Sequence, residues 1–256
     1  MIEGTGATTA LLLAAHGERQ PGASNESVMK IARAIRSREI VSEVAVGFIH
    51  GAPAIKDALG GLAARRIIVY PLFASNGYFT RDRLVQLIDE ASGAAREIEI
   101  LPPLGLDPGL PALVIDRIGQ VAAENGLRPK ALTAVLLAHG SRRDPASREA
   151  TEAIAGAIAK RGGSRDVTVA FLEEQPDLEE AVRSIKGPAI VVGMFSGDGV
   201  HGARDAPHLV AKLARSDVIY AGVIGNAPGI ESVVGGSVLK ALGALTCIKP
   251  HQTKGC

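Results

Sequence analysis

The chain repeats itself, and that repeat constrains its architecture more than any other feature. Leu11-Leu12-Leu13-Ala14-Ala15-His16-Gly17 returns as Val135-Leu136-Leu137-Ala138-His139-Gly140-Ser141, with the two histidines 123 positions apart. At the same offset Phe48-Ile49-His50 meets Phe171-Leu172-Glu173, and Pro53 meets Pro176. The register then slips by one where Tyr70-Pro71-Leu72-Phe73 faces Val192-Gly193-Met194-Phe195, and Leu104-Gly105 faces Ile224-Gly225 at an offset of 120. Solenoid repeats run to roughly 20–50 residues, so a period this long marks the duplication of a whole domain.

Each copy alternates in the same way. Short apolar, β-branched runs predict buried parallel strands over 10–15, 43–49, 66–73 and 97–101, then over 133–138, 166–172, 188–194 and 217–223. Helical patterns fall between them at 25–38, 54–64, 80–92 and 109–125, then at 145–161, 176–186, 203–214 and 228–242. Pro53 and Pro176 are expected in the first helical turn, where a missing N–H costs nothing. The fold class is therefore α/β. Two tandem homologous domains are expected, each a mostly parallel sheet of four strands or slightly more, flanked by helices. The joint is placed at Asn125–Lys130, a short polar stretch with Gly and Pro, giving domains 1–127 and 128–245 and a tail 246–256. A linker this short implies that the copies pack together, about a pseudo-twofold axis.

Composition narrows the partners. With a net charge of +1 the chain offers no field for nucleic acid or an acidic membrane, and neither is an expected partner. The apolar run Ala10–Ala15 is too short to span a bilayer. The only two cysteines, Cys247 and Cys256, lie within the last ten residues, so a disulfide framework is not expected. The first ten residues show no secretory pattern, and a cytoplasmic location is expected.

In open α/β sheets ligands bind beyond the carboxyl ends of the strands. Three chemically able residues of the second copy fall there: His139 after the strand 134–138, Glu173 after 166–172, and His201 in the glycine-rich loop Phe195–Gly202. One such histidine is usually a loop or packing residue, but three residues at equivalent strand ends are what a site requires. Neutral imidazole binds divalent transition metals, and a nearby carboxylate can orient it, accept a proton or complete the coordination. A closed structural zinc site needs four protein ligands. Three suit an open site that receives and releases metal.

His139-Gly140-Ser141-Arg142-x-x-Pro145, Ala170-Phe171-Leu172-Glu173 and Gly199-x-His201 together resemble the class II chelatases, the sirohydrochlorin cobalto- and ferrochelatases, in their long, internally duplicated form. The resemblance runs over about residues 8–243. It implies a chelatase-like fold and a lyase that inserts Co²⁺, or alternatively Fe²⁺ or Ni²⁺, into the tetrapyrrole sirohydrochlorin. The metal is a substrate, and no nucleotide cofactor is implied. The family's two metal-binding histidines fall on His139 and His201 and its acid on Glu173. Substrate carboxylates would meet cations, for which Arg142, Arg143 and Arg204 stand nearest, with Arg81 and Arg83 as their counterparts in the first copy. For any single arginine, plain solvation is the competing explanation.

The first copy departs from the pattern. His16-Gly17 is kept, Glu18 replaces the serine, His50 stands in the acid's place, and Tyr78 or Phe79 takes that of the second histidine. The first copy is therefore expected to serve as scaffold and cavity wall, the alternative being that His16 and His50 face a shared cleft as a relay. A non-catalytic metal or tetrapyrrole carrier is the competing function. Duplication within one chain points to a monomer. Cys247, His251 and Cys256 could scavenge metal, but a disordered polar end is the simpler expectation, and His208 reads as a surface or packing residue.

Overall fold

Apolar runs too short for a helix become strands in both copies. The computed structural model describes residues 8–17, 25–92, 96–197 and 201–243, without the side chains of His201 and Ala203. The first copy holds β1 (Thr9–Ala15), β2 (Glu43–Phe48), β3 (Arg66–Leu72) and β4 (Glu97–Ile100). The second holds β5 (Thr133–Ala138), β6 (Asp166–Phe171), β7 (Ala189–Gly193) and β8 (Val218–Val223). Each set forms a four-stranded parallel sheet, in the orders β2-β1-β3-β4 and β6-β5-β7-β8. Register matches as well: Leu13 lies between Val46 and Tyr70, and Leu136 between Val169 and Val192. Central strands must be apolar on both sides, and Leu11, Leu12 and Leu13, like Val135, Leu136 and Leu137, are wholly buried.

The helices are α1 (Glu26–Arg36), α2 (Ile55–Gly60), α3 (Leu84–Ala91), α4 (Leu110–Glu124), α5 (Ala146–Arg161), α6 (Leu178–Arg183), α7 (Ala206–Lys212) and α8 (Ile230–Ala241). Two expectations need correction. First, α2 and α6 have six residues each, shorter than the spans 54–64 and 176–186, and neither proline is in a helix. Pro53 and Pro176 precede the helix caps Ala54 and Asp177, and their carbonyls accept the N–H groups of Phe48 and Phe171, both at 2.9 Å. They close the strand-end turn. Asp177 then caps α6 by accepting the Glu180 N–H at 2.8 Å. Second, each third helix opens with a π-turn, Phe79–Arg83 before α3 and His201–Asp205 before α7. Such turns are rare and cluster at functional sites.

The copies meet through their helices. α1 packs on α8, and its counterpart α5 on α4; α8 lies against β3, and α4 against β7. This reciprocity is what a twofold relation between the halves requires. Ile35, Val114, Ile118, Ile158, Val234 and Val238 are wholly buried in one cluster drawn from both copies. Burying such a side chain stabilises by about 1.5–3 kcal/mol, so the seam is held by packing and not by the linker. Polar contacts cross it too, Arg38 reaching Ser232 and the Glu231 carbonyl, Arg66 the Ala241 carbonyl and Arg117 the Ala221 carbonyl. A further one is a buried lock. The Tyr70 hydroxyl (2.8 Å) and the Ser237 hydroxyl (2.6 Å) donate to one oxygen of buried Asp107, and the Gly109 N–H donates to the other at 2.8 Å. Among the described residues no helix is long and apolar enough to cross a membrane.

Candidate functional site

The central strands β1 and β5 end in His-Gly, and both glycines take the left-handed conformation, Gly17 at φ 75° and Gly140 at φ 72°. A Cβ on Gly17 would stand 1.9 Å from the His50 carbonyl oxygen, and one on Gly140 would stand 2.8 Å from the Glu174 side chain. Only glycine lets the neighbouring strand-end loop cross so closely. The crossing is tied the same way twice: the His16 carbonyl accepts the His50 N–H at 2.9 Å, and the His139 carbonyl accepts the Glu173 N–H at 3.0 Å.

Both strand-end histidines contact the next carbonyl through Nδ1, His16 at 3.0 Å and His139 at 3.2 Å. A carbonyl can only accept, so these bonds put the proton on Nδ1 and the ring's lone pair on Nε2. In that tautomer Nε2 is the nitrogen able to bind a divalent metal. A cavity of about 410 Å³ lies across the seam, with His16 on one wall and His139 on the other. The first copy contributes residues 73–75 and 77–80 and the start of α1; the second contributes Phe195, Ser196, Gly197 and Gly202.

In the second copy Glu173 follows β6 by two residues, its backbone tied to that of His139, with its side chain exposed and outside the cavity lining. Its carbonyl accepts the Arg142 Nε–H at 3.1 Å. His201 opens the π-turn, and Tyr220 braces that turn by donating its hydroxyl to the Gly202 carbonyl at 3.0 Å. The bracing is close, since a Cβ on Gly202 would stand 2.4 Å from Val223 Cγ1. Because the His201 ring is not described, only the His139 and Glu173 pair can be placed side by side. Among the described residues no three His, Cys, Asp or Glu side chains gather at metal-binding distance.

Sequence reasoning missed Glu174 and Arg148. Glu174, not Glu173, supports the histidine loop: its carboxylate accepts the Ser141 N–H at 3.1 Å and an Arg148 N–H at 2.8 Å. Arg148 in turn lies over the Phe171 ring, 4.4 Å from its centre. The Glu174 hydrogen bond holds the Arg148 guanidinium charge and pushes its pKa above the ordinary value. Tyr220 was missed too, and the only signal for it was that tyrosine is scarce, at three residues. None of Arg142, Arg143 and Arg204 is among the cavity-lining residues. Arg143 shares a neighbouring cleft with Arg81 and Asp144, Arg204 is exposed on the π-turn, and Arg83 bonds Gln86 within its own helix region. His208 is exposed on α7, while Glu18, Cys247, His251 and Cys256 lie outside the described residues.

Sequence spacing leaves Tyr78 and Phe79 both eligible for the second histidine's place. The π-turns decide for Phe79, which opens one turn as His201 opens the other. The Phe79 ring meets His16 edge-on at 4.7 Å between centres and 85°, and His50 closes the cluster 4.9 Å from His16. Where the second copy has His, Glu and His, the first has His, His and Phe.

The CbiX family model matches residues 10–121 and matches again over 133–241. The chain belongs to the CbiX family. Two of its relatives differ in length. A Halobacterium salinarum protein named "Probable sirohydrochlorin cobaltochelatase" is 24% identical over 88% of this chain and 89% of its own. The Methanothermobacter thermautotrophicus sirohydrochlorin cobaltochelatase is 30% identical over 42% of this chain and 89% of its own, so it has the length of one copy. The solved structure of CbiX, described as the terminal enzyme of sirohaem biosynthesis in denitrifying bacteria, superposes with a TM-score of 0.74 at 28% identity, covering 91% of this chain and 99% of that one. Family membership and the double match explain why one fold is built twice here.

Proposed function

We propose that this chain inserts a divalent metal ion into sirohydrochlorin, with Co²⁺ as the first choice. The observation that carries the reading is the cavity across the seam. It has a strand-end histidine from each copy on its walls, in a family whose relatives are named for this reaction. Both walls come from one chain, which supports action as a monomer, and the cytoplasm is the compartment we assign.

Insertion must balance M²⁺ entering the ring against two pyrrole protons leaving it. His139 and His201 hold the incoming ion through imidazole nitrogens. As the ion passes to the ring, two N–H bonds break and metal–nitrogen bonds replace the imidazole ones. Glu173, beside His139, accepts a proton, and the released histidines can take the other. Arg142, Arg143 and Arg204 lie outside the cavity lining, so their part is to meet those substrate carboxylates that reach past it.

A second metal has its own support, since the solved relative at 28% identity is named for sirohaem, the iron product. Ligand type does not choose between Co²⁺ and Fe²⁺. The test is anaerobic absorbance of sirohydrochlorin with each of Co²⁺, Fe²⁺ and Ni²⁺, with and without enzyme. Acceleration is expected, largest with Co²⁺. Faster insertion of Fe²⁺ would move the chain to sirohaem synthesis. Binding of sirohydrochlorin without acceleration by any of the three would make it a carrier.

A further inference from the structure

The chain has only eight aromatic residues, five Phe and three Tyr, with no Trp. Four of them, Phe73, Tyr78, Phe79 and Phe195, line the cavity that has both strand-end histidines on its walls. Phe73 and Phe195 are buried and equivalent in the two copies, and so belong to the shared fold. Tyr78 and Phe79 are different. They are 57% and 38% exposed, two of four large apolar side chains left exposed among the described residues, and their rings meet edge-on, 5.4 Å apart at 69°. Leaving two adjacent aromatic rings at a cavity mouth forgoes burial that each could contribute, and such surfaces mark binding sites. The second copy shows no such pair, since the positions corresponding to Tyr78 and Phe79 are Val200 and His201.

We infer that Tyr78 and Phe79 form a corner-shaped platform for a conjugated macrocycle, one ring under its flat face and the other, at 69° to the first, against its edge, while His139 addresses the macrocycle from the second copy. The inference rests on the tetrapyrrole reading of the cavity. Phe79 is fixed for this role by the edges of His16 and His50, at 4.7 and 6.3 Å between ring centres, so the platform is preorganised before the ligand arrives.

The test is binding of metal-free sirohydrochlorin, read by its own absorbance and fluorescence, alongside separate titration of Co²⁺ without tetrapyrrole. Tyr78→Ala and Phe79→Leu should each weaken sirohydrochlorin binding about tenfold, consistent with the energy of an aromatic contact. Co²⁺ binding should be unchanged, and Tyr78→Phe should keep tight sirohydrochlorin binding. Tyr78 is mostly solvent-facing, so Tyr78→Ala decides the matter even if Phe79→Leu misfolds. Wild-type affinity for sirohydrochlorin in Tyr78→Ala would overturn the platform while leaving the insertion reading intact. Failure of the wild-type chain to bind sirohydrochlorin would overturn both.

Discussion

The π-turns after β3 and β7 share a backbone and differ in what holds them and what they present. In the first copy, buried Thr80 ties its turn by donating its hydroxyl to the Ser75 carbonyl at 2.9 Å, and the leading residue is Phe79. In the second, Gly202 stands in place of Thr80, the tie comes from Tyr220 on β8, and the leading residue is His201. A duplicated fold thus keeps the loop geometry with unrelated hydrogen bonds and is left free to change the residue the loop delivers. One copy presents an apolar ring, the other an imidazole.

The same asymmetry runs into the core. Tyr70 and Asp107 form the seam lock, whereas the equivalent positions of the second copy are Val192 and Ala227. Asp107→Ala should therefore be the most destabilising test of that difference, because it strands the buried hydroxyl of Tyr70 and the half-buried one of Ser237. Each lost partner costs about 1–3 kcal/mol, so a loss of about 3 kcal/mol is expected in urea unfolding. A change of a few tenths would mean that the Asp107 lock contributes little to the seam and that the copies do not differ there in energy.

A smaller effect follows at alkaline pH. Burial first, and then the Asp107 carboxylate, push the Tyr70 pKa above the ordinary value near 10. The folded state keeps the neutral phenol while the unfolded chain ionises it, so Tyr70 contributes stability that is complete below about pH 10 and is lost as pH rises beyond it. Unfolding free energy should fall by up to about 1.4 kcal/mol per pH unit above that point from this group alone. Tyr70→Phe, although less stable at neutral pH, should show a shallower decline. An identical decline in both proteins would take Tyr70 out of the explanation.

Much of this was legible in the sequence because duplication prints every landmark twice. Strand positions, the sheet class and the strand-end histidines follow from apolar runs and from the rule that sites sit beyond strand ends. Proline positions were misjudged because a proline two residues before a helix and one inside its first turn look alike in spacing, and only the Phe48 and Phe171 hydrogen bonds tell them apart. The choice between Tyr78 and Phe79 depended on a one-residue slip that the π-turn resolves. Glu174 was hidden behind Glu173, since adjacent carboxylates differ in role only by which way each side chain leaves the chain. The arginines near the site in sequence proved to sit outside the cavity lining, because proximity along a loop does not fix direction.

The most direct test of the division between the copies is Co²⁺ titration of the anaerobic, tetrapyrrole-free protein, followed by visible absorbance, in wild type, His16→Ala and His139→Ala. The account predicts that His139→Ala loses the Co²⁺ signal seen in wild type while His16→Ala retains it. Loss in His16→Ala with retention in His139→Ala would contradict it and make the first copy the one that delivers the metal.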